Sequence, residues 1–392
     1  MRKNYSVFFL LLAFVLSIGI ILNIPNNKGL AKENDFVFNS KSVYLMDYDT
    51  KTVVFKKNEN EKRPIASMCK IMTLLLSFEH LEKNSIPLSE EITVSENASG
   101  MGGSQVFLES NTNYSIDQLL KSITVASAND ASVAMAEYIS GTEELFVEKM
   151  NEKAKSLGMN DTCFVNATGL PKDGQYSTAK DVSIMFCELL KHKDYFNYST
   201  IWTDEIVHPE NRVTGIANTN KLVRFYEGCD AGKTGYTSEA GHCLVSSAKR
   251  NGLRLVSVII SAPDSKTRFK EASTLFNYGF SNYCCKLIVD NSKPFDIKVK
   301  VLGGKESELE VVCEKPIYIF SKKGEKRAFD IDFKPFDSIK APVNKGDVVG
   351  KVFIFDNGNE VANALAIANQ SIDKMTYFDT IKNVIDNFGI GN

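Results

Sequence analysis

Pro64-Ile65-Ala66-Ser67-Met68-Cys69-Lys70 decides how the rest of the chain is read, because a helix is predicted to begin there. Behind it Ile71, Leu74, Leu75, Phe78 and Leu81 recur at helical spacing, so this helix turns an apolar face to the core. Ser67 then lies at the helix mouth. Residues three apart on a helix are neighbours, about 5 to 6 Å between Cβ atoms, which sets the Lys70 amine beside the Ser67 hydroxyl. A serine hydroxyl is a weak nucleophile unless a base lies within hydrogen-bond reach, and a lysine serves only when burial or a nearby cation lowers its pKa. Two later stretches offer what such a site still needs: Ser127-Ala128-Asn129 and Lys233-Thr234-Gly235.

The ends of the chain differ from its middle. Arg2 and Lys3 precede an apolar run from Val7 to Ile24, followed by polar residues and Gly29-Leu30-Ala31. This reads as a secretory signal over residues 1–31, cleaved after Ala31, or as a retained anchor, with cleavage the preferred reading. Either way the working part is expected outside the cytoplasm. Without those residues 46 basic side chains fall to 43 against 48 acidic, a balance of −5 that gives no reason to expect nucleic acid as a partner. The 392 residues, 43% of them apolar, suffice for two globular domains. Eight scattered cysteines show no metal-type spacing and are read as buried small hydrophobes, Cys69 among them. No metal or cofactor is expected.

From residue 42 the chain reads as a mixed fold. Ser42 to Tyr48 and Val53 to Lys57 make a hairpin, and the Ser67 helix follows. Ser99-Gly-Met-Gly-Gly-Ser104 is a glycine-rich loop that could flank a cleft, but it lacks the lysine and strand-helix setting of a phosphate cradle. Ser115 caps a segment with Ile116, Leu119, Leu120 and Ile123 on one face, and the pattern breaks at Ser127-Ala128-Asn129 before helical spacing resumes from Asp130 to Ile139. Further helices are predicted from Thr142 to Leu157 and, capped by Thr178 with Asp181, to Leu190. Beyond residue 240 strands take over. His242–Arg250, Asn251-Gly252 and Leu253–Ser261 form the clearest hairpin, with Lys233-Thr234-Gly235 on the strand before it and a helix from Ser265 to Tyr278 after it.

Past Cys285 the apolar stretches shorten and alternate: Phe295–Leu302, Leu309–Cys313, Ile317–Phe320, Ala328–Phe333 and Val348–Phe355, separated by glycine turns. These predict a small all-β domain. From Ser371 to Phe388 helical spacing returns, with Phe378, Ile381, Ile385 and Phe388 on one face, as a helix docked on its own domain or lying on a membrane surface.

Each motif is weak alone. Their order and spacing, Ser-x-x-Lys, then Ser-x-Asn 60 residues later, then Lys-Thr-Gly 106 residues beyond, make up the set used by penicillin-binding proteins and serine β-lactamases. A Ser-His-Asp triad competes poorly, since His80, His192, His208 and His242 all lack a nucleophile-elbow setting. Around the motifs, Ala66–Thr73, Asn129–Ala134, Phe164–Leu170, Asn218–Leu222 and Lys233–Thr237 resemble the low-molecular-weight D-alanyl-D-alanine carboxypeptidases. Ala128 stands where that family usually has glycine, and Tyr236 where it often has histidine.

The resemblance implies an α+β, β-lactamase/transpeptidase-like catalytic domain over residues 36–283, an all-β domain over 286–370 and an amphipathic, membrane-associated helix over 371–390. It implies that Ser67 attacks the carbonyl between the last two D-alanines of a peptidoglycan stem peptide, with Lys70 as base and Ser127 relaying a proton. Asn129, Lys233, Thr234, Gly235 and Tyr236 would hold the substrate, the Tyr236 and Ser67 N–H groups taking the oxyanion. Lys233 is further expected to depress the Lys70 pKa by like charge. β-Lactams would be covalent inhibitors, and the outer face of the cytoplasmic membrane the place of work. A β-lactamase on the same fold needs a deacylating carboxylate, and the Asn160–Tyr176 loop offers only Asp161 and Asp173. A non-enzymatic wall-binding protein would have no need of all three motifs.

Overall fold

A computed structural model of the protein describes residues 36–336, 338–379 and 381. The predicted helix at the key stretch starts three residues later than expected. Ala66–Cys69 forms a single 3₁₀ turn, entered through Ala66 at φ +48°, and the α-helix proper runs Lys70–Asn84. Its apolar residues Ile71, Leu74, Leu75, Phe78 and Leu81 are buried, and so are Lys70, Met72 and Thr73 on other faces. A helix covered on nearly every side is a central one. Each fully buried Leu, Ile or Phe here contributes about 1.5 to 3 kcal/mol.

Ser115 caps as predicted. Its hydroxyl accepts from Gln118 N and the Gln118 side chain accepts from Ser115 N, opening the helix Ile116–Lys121. The helix then widens into a π turn over Ser122–Ala126 that ends at Ser127 in the left-handed region, φ 63°. Such widened turns are found frequently at functional sites, and this one ends the helix at Ser127. Helices Asn129–Ser140, Glu143–Ser156 and Ala179–Leu189 follow, the last two capped by Thr142 and Thr178.

Among the described residues Ala179–Leu189 packs on a five-stranded antiparallel sheet in the order Val53–Lys57, Ser42–Asp47, Leu253–Ala262, Gly241–Arg250 and Cys229–Thr237, and Lys70–Asn84 packs on Ala179–Leu189. The Asn251-Gly252 turn has φ of 49° and 82°, the positive pair that a two-residue hairpin of this hand requires. The Lys233 strand therefore lies at the sheet edge, Lys233 opposite Val245. The helix after the sheet extends to Asn282, one turn further than its spacing predicts.

A second buried cluster lies beyond residue 288, built of Val299, Leu309, Val311, Val352, Ile354 and Ala366 among others. Six strands carry it, ordered Phe329–Pro335, Val348–Asp356, Asn359–Ala368, Glu308–Cys313, Lys298–Leu302 and Ile339–Lys340. Asn359–Ala368 was not predicted: alanine and asparagine favour strands poorly, and only pairing across the Asn357-Gly358 turn makes it one. Tyr283–Val289 was also missed and pairs with Ile317–Lys322.

The helix expected from residue 371 begins later. Ile372 bridges Val343 and Lys374 bridges Gly304, so this stretch runs along the β module, and helical residues start at Tyr377. The remainder of that expected helix, and the expected signal over 1–31, lie outside the described residues. Among those described, no helix is long and apolar enough to cross a membrane.

Candidate active site

Three distant pieces of chain meet at the Ser67 turn. Because that turn and the first residue of the following helix continue one another, Lys70 Nζ lies 3.1 Å from Ser67 Oγ. The same amine donates to the Thr168 carbonyl at 2.6 Å, which fixes its direction. From the sheet edge, Lys233 Nζ donates to Ser127 Oγ at 2.7 Å and to the Thr234 carbonyl at 3.0 Å. Ser67 is half-buried, and Ser127, Asn129 and Thr234 are buried. Asn129 Nδ2 donates to the Gly102 carbonyl at 2.7 Å, while its Oδ1 is buried with no partner, an acceptor left over for something else. The glycine-rich loop thus does flank this cleft.

Burial governs the electrostatics. Lys70 is fully buried, and loss of hydration brings its pKa down to about 7, opposed by Cys69 and Asp130. Lys233, 1% exposed, is pushed well below the ordinary lysine range by burial first, then by repulsion from Lys70 and Arg268. Lys233 was expected to help depress Lys70 by like charge; desolvation is the first cause for both amines, with repulsion between the two adding to it. Near neutral pH the Lys70 amine is accordingly deprotonated in a large fraction of molecules and can accept a proton.

The sheet edge is held against the Ser67 turn by the absence of a side chain. A Cβ on Gly235 would stand 2.6 Å from the Ile65 carbonyl and 3.1 Å from Ser67 N, so only glycine permits this approach. Next to it Tyr236 is 61% exposed and stacks on His242 with ring centroids 4.4 Å apart, at the rim of the site. The other histidines lie in other settings, His192 against Glu82, His208 against Tyr114, and His80 near Asn84. Cys69 Sγ donates to the Asn166 carbonyl and is fully buried. All eight thiols are free. Asp161 pairs with Lys62 at 3.2 Å, and Asp173 is exposed.

Sequence reasoning missed what supports these residues. Asn166 Oδ1 accepts from Thr168 N and Gly169 N, a side-chain turn that aims the Thr168 carbonyl at Lys70. Gly169, at φ 81°, packs where a Cβ would fall 2.1 Å from the Ala66 carbonyl. The Asn-Ala-Thr-Gly string is a legible turn signal, though not a legible role. Buried Arg268 donates to the carbonyls of Gly235 and Cys243 at 3.1 and 3.2 Å, pinning the edge strand from behind. No spacing in the sequence announces that contact.

Comparison with known proteins agrees along nearly the whole chain. Residues 29–264 match the family Peptidase_S11, described as D-alanyl-D-alanine carboxypeptidase, and residues 285–374 match the penicillin-binding protein 5 C-terminal domain. D-alanyl-D-alanine carboxypeptidase DacF of Bacillus subtilis is 39% identical over 374 residues, covering 94% of this chain and 96% of its own. Among solved structures, penicillin-binding protein 3 of Streptococcus pneumoniae superposes with TM-score 0.72 at 26% identity, covering 86% of this chain and 100% of its own. Penicillin-binding protein 5 of Haemophilus influenzae gives TM-score 0.69 at 27% identity, over 86% and 99%. With a family match across more than half its length and its two modules in the family's order, the chain belongs to the D-alanyl-D-alanine carboxypeptidase family Peptidase_S11, the serine peptidases, and is a hydrolase.

Proposed function

We propose that Ser67 is the nucleophile that removes the terminal D-alanine from peptidoglycan stem pentapeptides, and that the 3.1 Å approach of Lys70 Nζ to its hydroxyl is the observation carrying this reading. The neutral Lys70 amine takes the Ser67 proton as Oγ bonds to the carbonyl carbon of the penultimate residue. The Ser67 and Tyr236 N–H groups take the negative charge developing on oxygen, a contribution of about 3 to 4 kcal/mol in comparable sites. The C–N bond then breaks. Ser127, bonded to Lys233, relays the proton that Lys70 took to the departing D-alanine amine and recovers its own. Water, giving its proton back through Lys70 to Ser67, later releases the acyl group. Lys233 and Thr234 receive the substrate carboxylate, Gly235 keeps their strand close against the Ser67 turn as it binds, and the free Oδ1 of Asn129 accepts from the substrate amide. β-Lactams enter by the same ester-forming step.

In this reading residues 1–31 are an export signal, 36–283 the catalytic domain and 286–370 an accessory β domain. Of residues 371–390, the part from Tyr377 onward rests on the outer face of the cytoplasmic membrane. Tyr377 and Phe378, 77% and 80% exposed, support the last assignment as side chains available to a lipid surface. Intact mass after exposure to penicillin tests the nucleophile. A long-lived adduct on the wild-type chain and none on Ser67→Ala is expected, together with release of D-alanine from a pentapeptide by the wild type alone. An adduct that persists in Ser67→Ala overturns the assignment.

A further inference from the structure

The end of the second sheet strand carries a group of side chains that the reaction does not use. Ligand atoms of Asp47, Asp49 and Cys285 all lie within 4.8 Å of one another. Asp47 is fully buried. Its Oδ2 accepts from Thr50 N and Thr50 Oγ1 at 2.7 and 2.6 Å, and its Oδ1 has no partner. An unpartnered carboxylate oxygen shut away from water is costly unless something charged or hydrogen-bonding meets it. No lysine or arginine does so: among the described residues none pairs with either aspartate. Lys51, Lys249 and Arg254 are near enough to be felt, but Arg254 is committed to Asp230 at 2.7 Å and Lys51 lies over the Tyr48 ring at 4.2 Å.

We propose that Asp47, Asp49 and Cys285 form a binding site for a thiophilic divalent cation of the Zn²⁺ type. A thiolate with two carboxylates is a donor set for zinc rather than for magnesium or calcium, and three protein ligands leave one position for water. Zinc–oxygen and zinc–sulfur bonds of about 2.0 to 2.3 Å require the three atoms to close in by roughly an ångström, which the exposed Asp49 side chain can supply. On binding, the Cys285 thiol gives up its proton to solvent and the sulfur bonds the metal. No oxidant or reductant is involved. Asp47 ends a strand of the catalytic sheet, Asp49 lies in the turn after it, and Cys285 sits on Tyr283–Val289, which leads into the β module. The ion would therefore tie that connecting strand to the sheet. Ligands 236 residues apart also explain why cysteine spacing shows no such site.

The test uses the full chain stripped with chelator. Native mass spectrometry with Zn²⁺ should show one ion per chain, and Co²⁺ should produce a near-ultraviolet sulfur-to-metal charge-transfer band. Cys285→Ser should abolish the band and weaken Zn²⁺ binding at least about tenfold, as should Asp49→Asn for affinity. Cys284→Ser is the control, since that thiol faces Ser321, and it should keep both signals. The rate of penicillin acylation, expected unchanged in all three, reports that each variant is folded. Absence of bound Zn²⁺ in the wild type, or equal affinity and a surviving band in Cys285→Ser, overturns the proposal.

Discussion

The two halves of the molecule treat charge in opposite ways. The catalytic half buries Lys70, Lys233, Asp130, Arg268 and Glu271, whereas past Asn282 no polar or charged side chain among the described residues is buried. The β module is an ordinary alternating sheet, Val and Ile inward and charges outward, held by apolar burial. The catalytic half desolvates two lysine amines, and that loss of hydration is what brings Lys70 to a pKa at which it can work as a base. Stability and reactivity are thus separated along the chain.

The largest expected effect comes from removing the buried amine itself. Lys70→Met should lower the acylation rate by on the order of 10² to 10⁴-fold, measured with penicillin in single-turnover experiments. In the wild type that rate should rise with pH through about 7, as Lys70 loses its proton, and the rise should vanish in the variant. The sign for stability is the reverse of a salt bridge. Between about 7 and the ordinary lysine pKa the unfolded chain holds a proton that the folded chain lacks, so folding gains with rising pH. Lys70→Met should therefore raise the melting temperature most below pH 7 and progressively less above it. A variant no more stable at pH 6 than the wild type would break the contrast between the halves.

A middle-sized effect tests the backbone fit. Gly235→Ala should drive the edge strand away from Ile65 and Ser67 and cost about 100-fold in kcat/KM, a misplacement of the order of an ångström. Circular dichroism should show the fold retained. Wild-type activity in this variant would mean the two segments can separate without loss.

The smallest effect on catalysis should come from the other half. Leu309→Ala removes a fully buried side chain of the β module and should cost about 2 to 5 kcal/mol of stability, read from denaturant unfolding. Penicillin acylation at 25 °C should not change. A matching fall in acylation would show that the halves are coupled and sharpen where the boundary runs.

Periodicity, caps and turn chemistry made much of this architecture readable in advance. Ser115 and Thr178 cap where they were expected to, and Asn251-Gly252 turns the hairpin, because these signals act over four residues and owe little to the surroundings. The apolar face behind Ser67 and the three polar motifs were legible for the same reason. Long-range contacts decided the rest. Whether a serine and a lysine three residues apart become a reactive pair depends on the Thr168 carbonyl, the Gly235 strand edge and the exclusion of water, all supplied from more than 90 residues away. Strand Asn359–Ala368 exists only through its partners, and the depression of Lys70 is a property of the packed interior. Local geometry is written residue by residue, but desolvation is a collective effect of everything the chain folds around a group, and that is why only the tertiary structure could settle it.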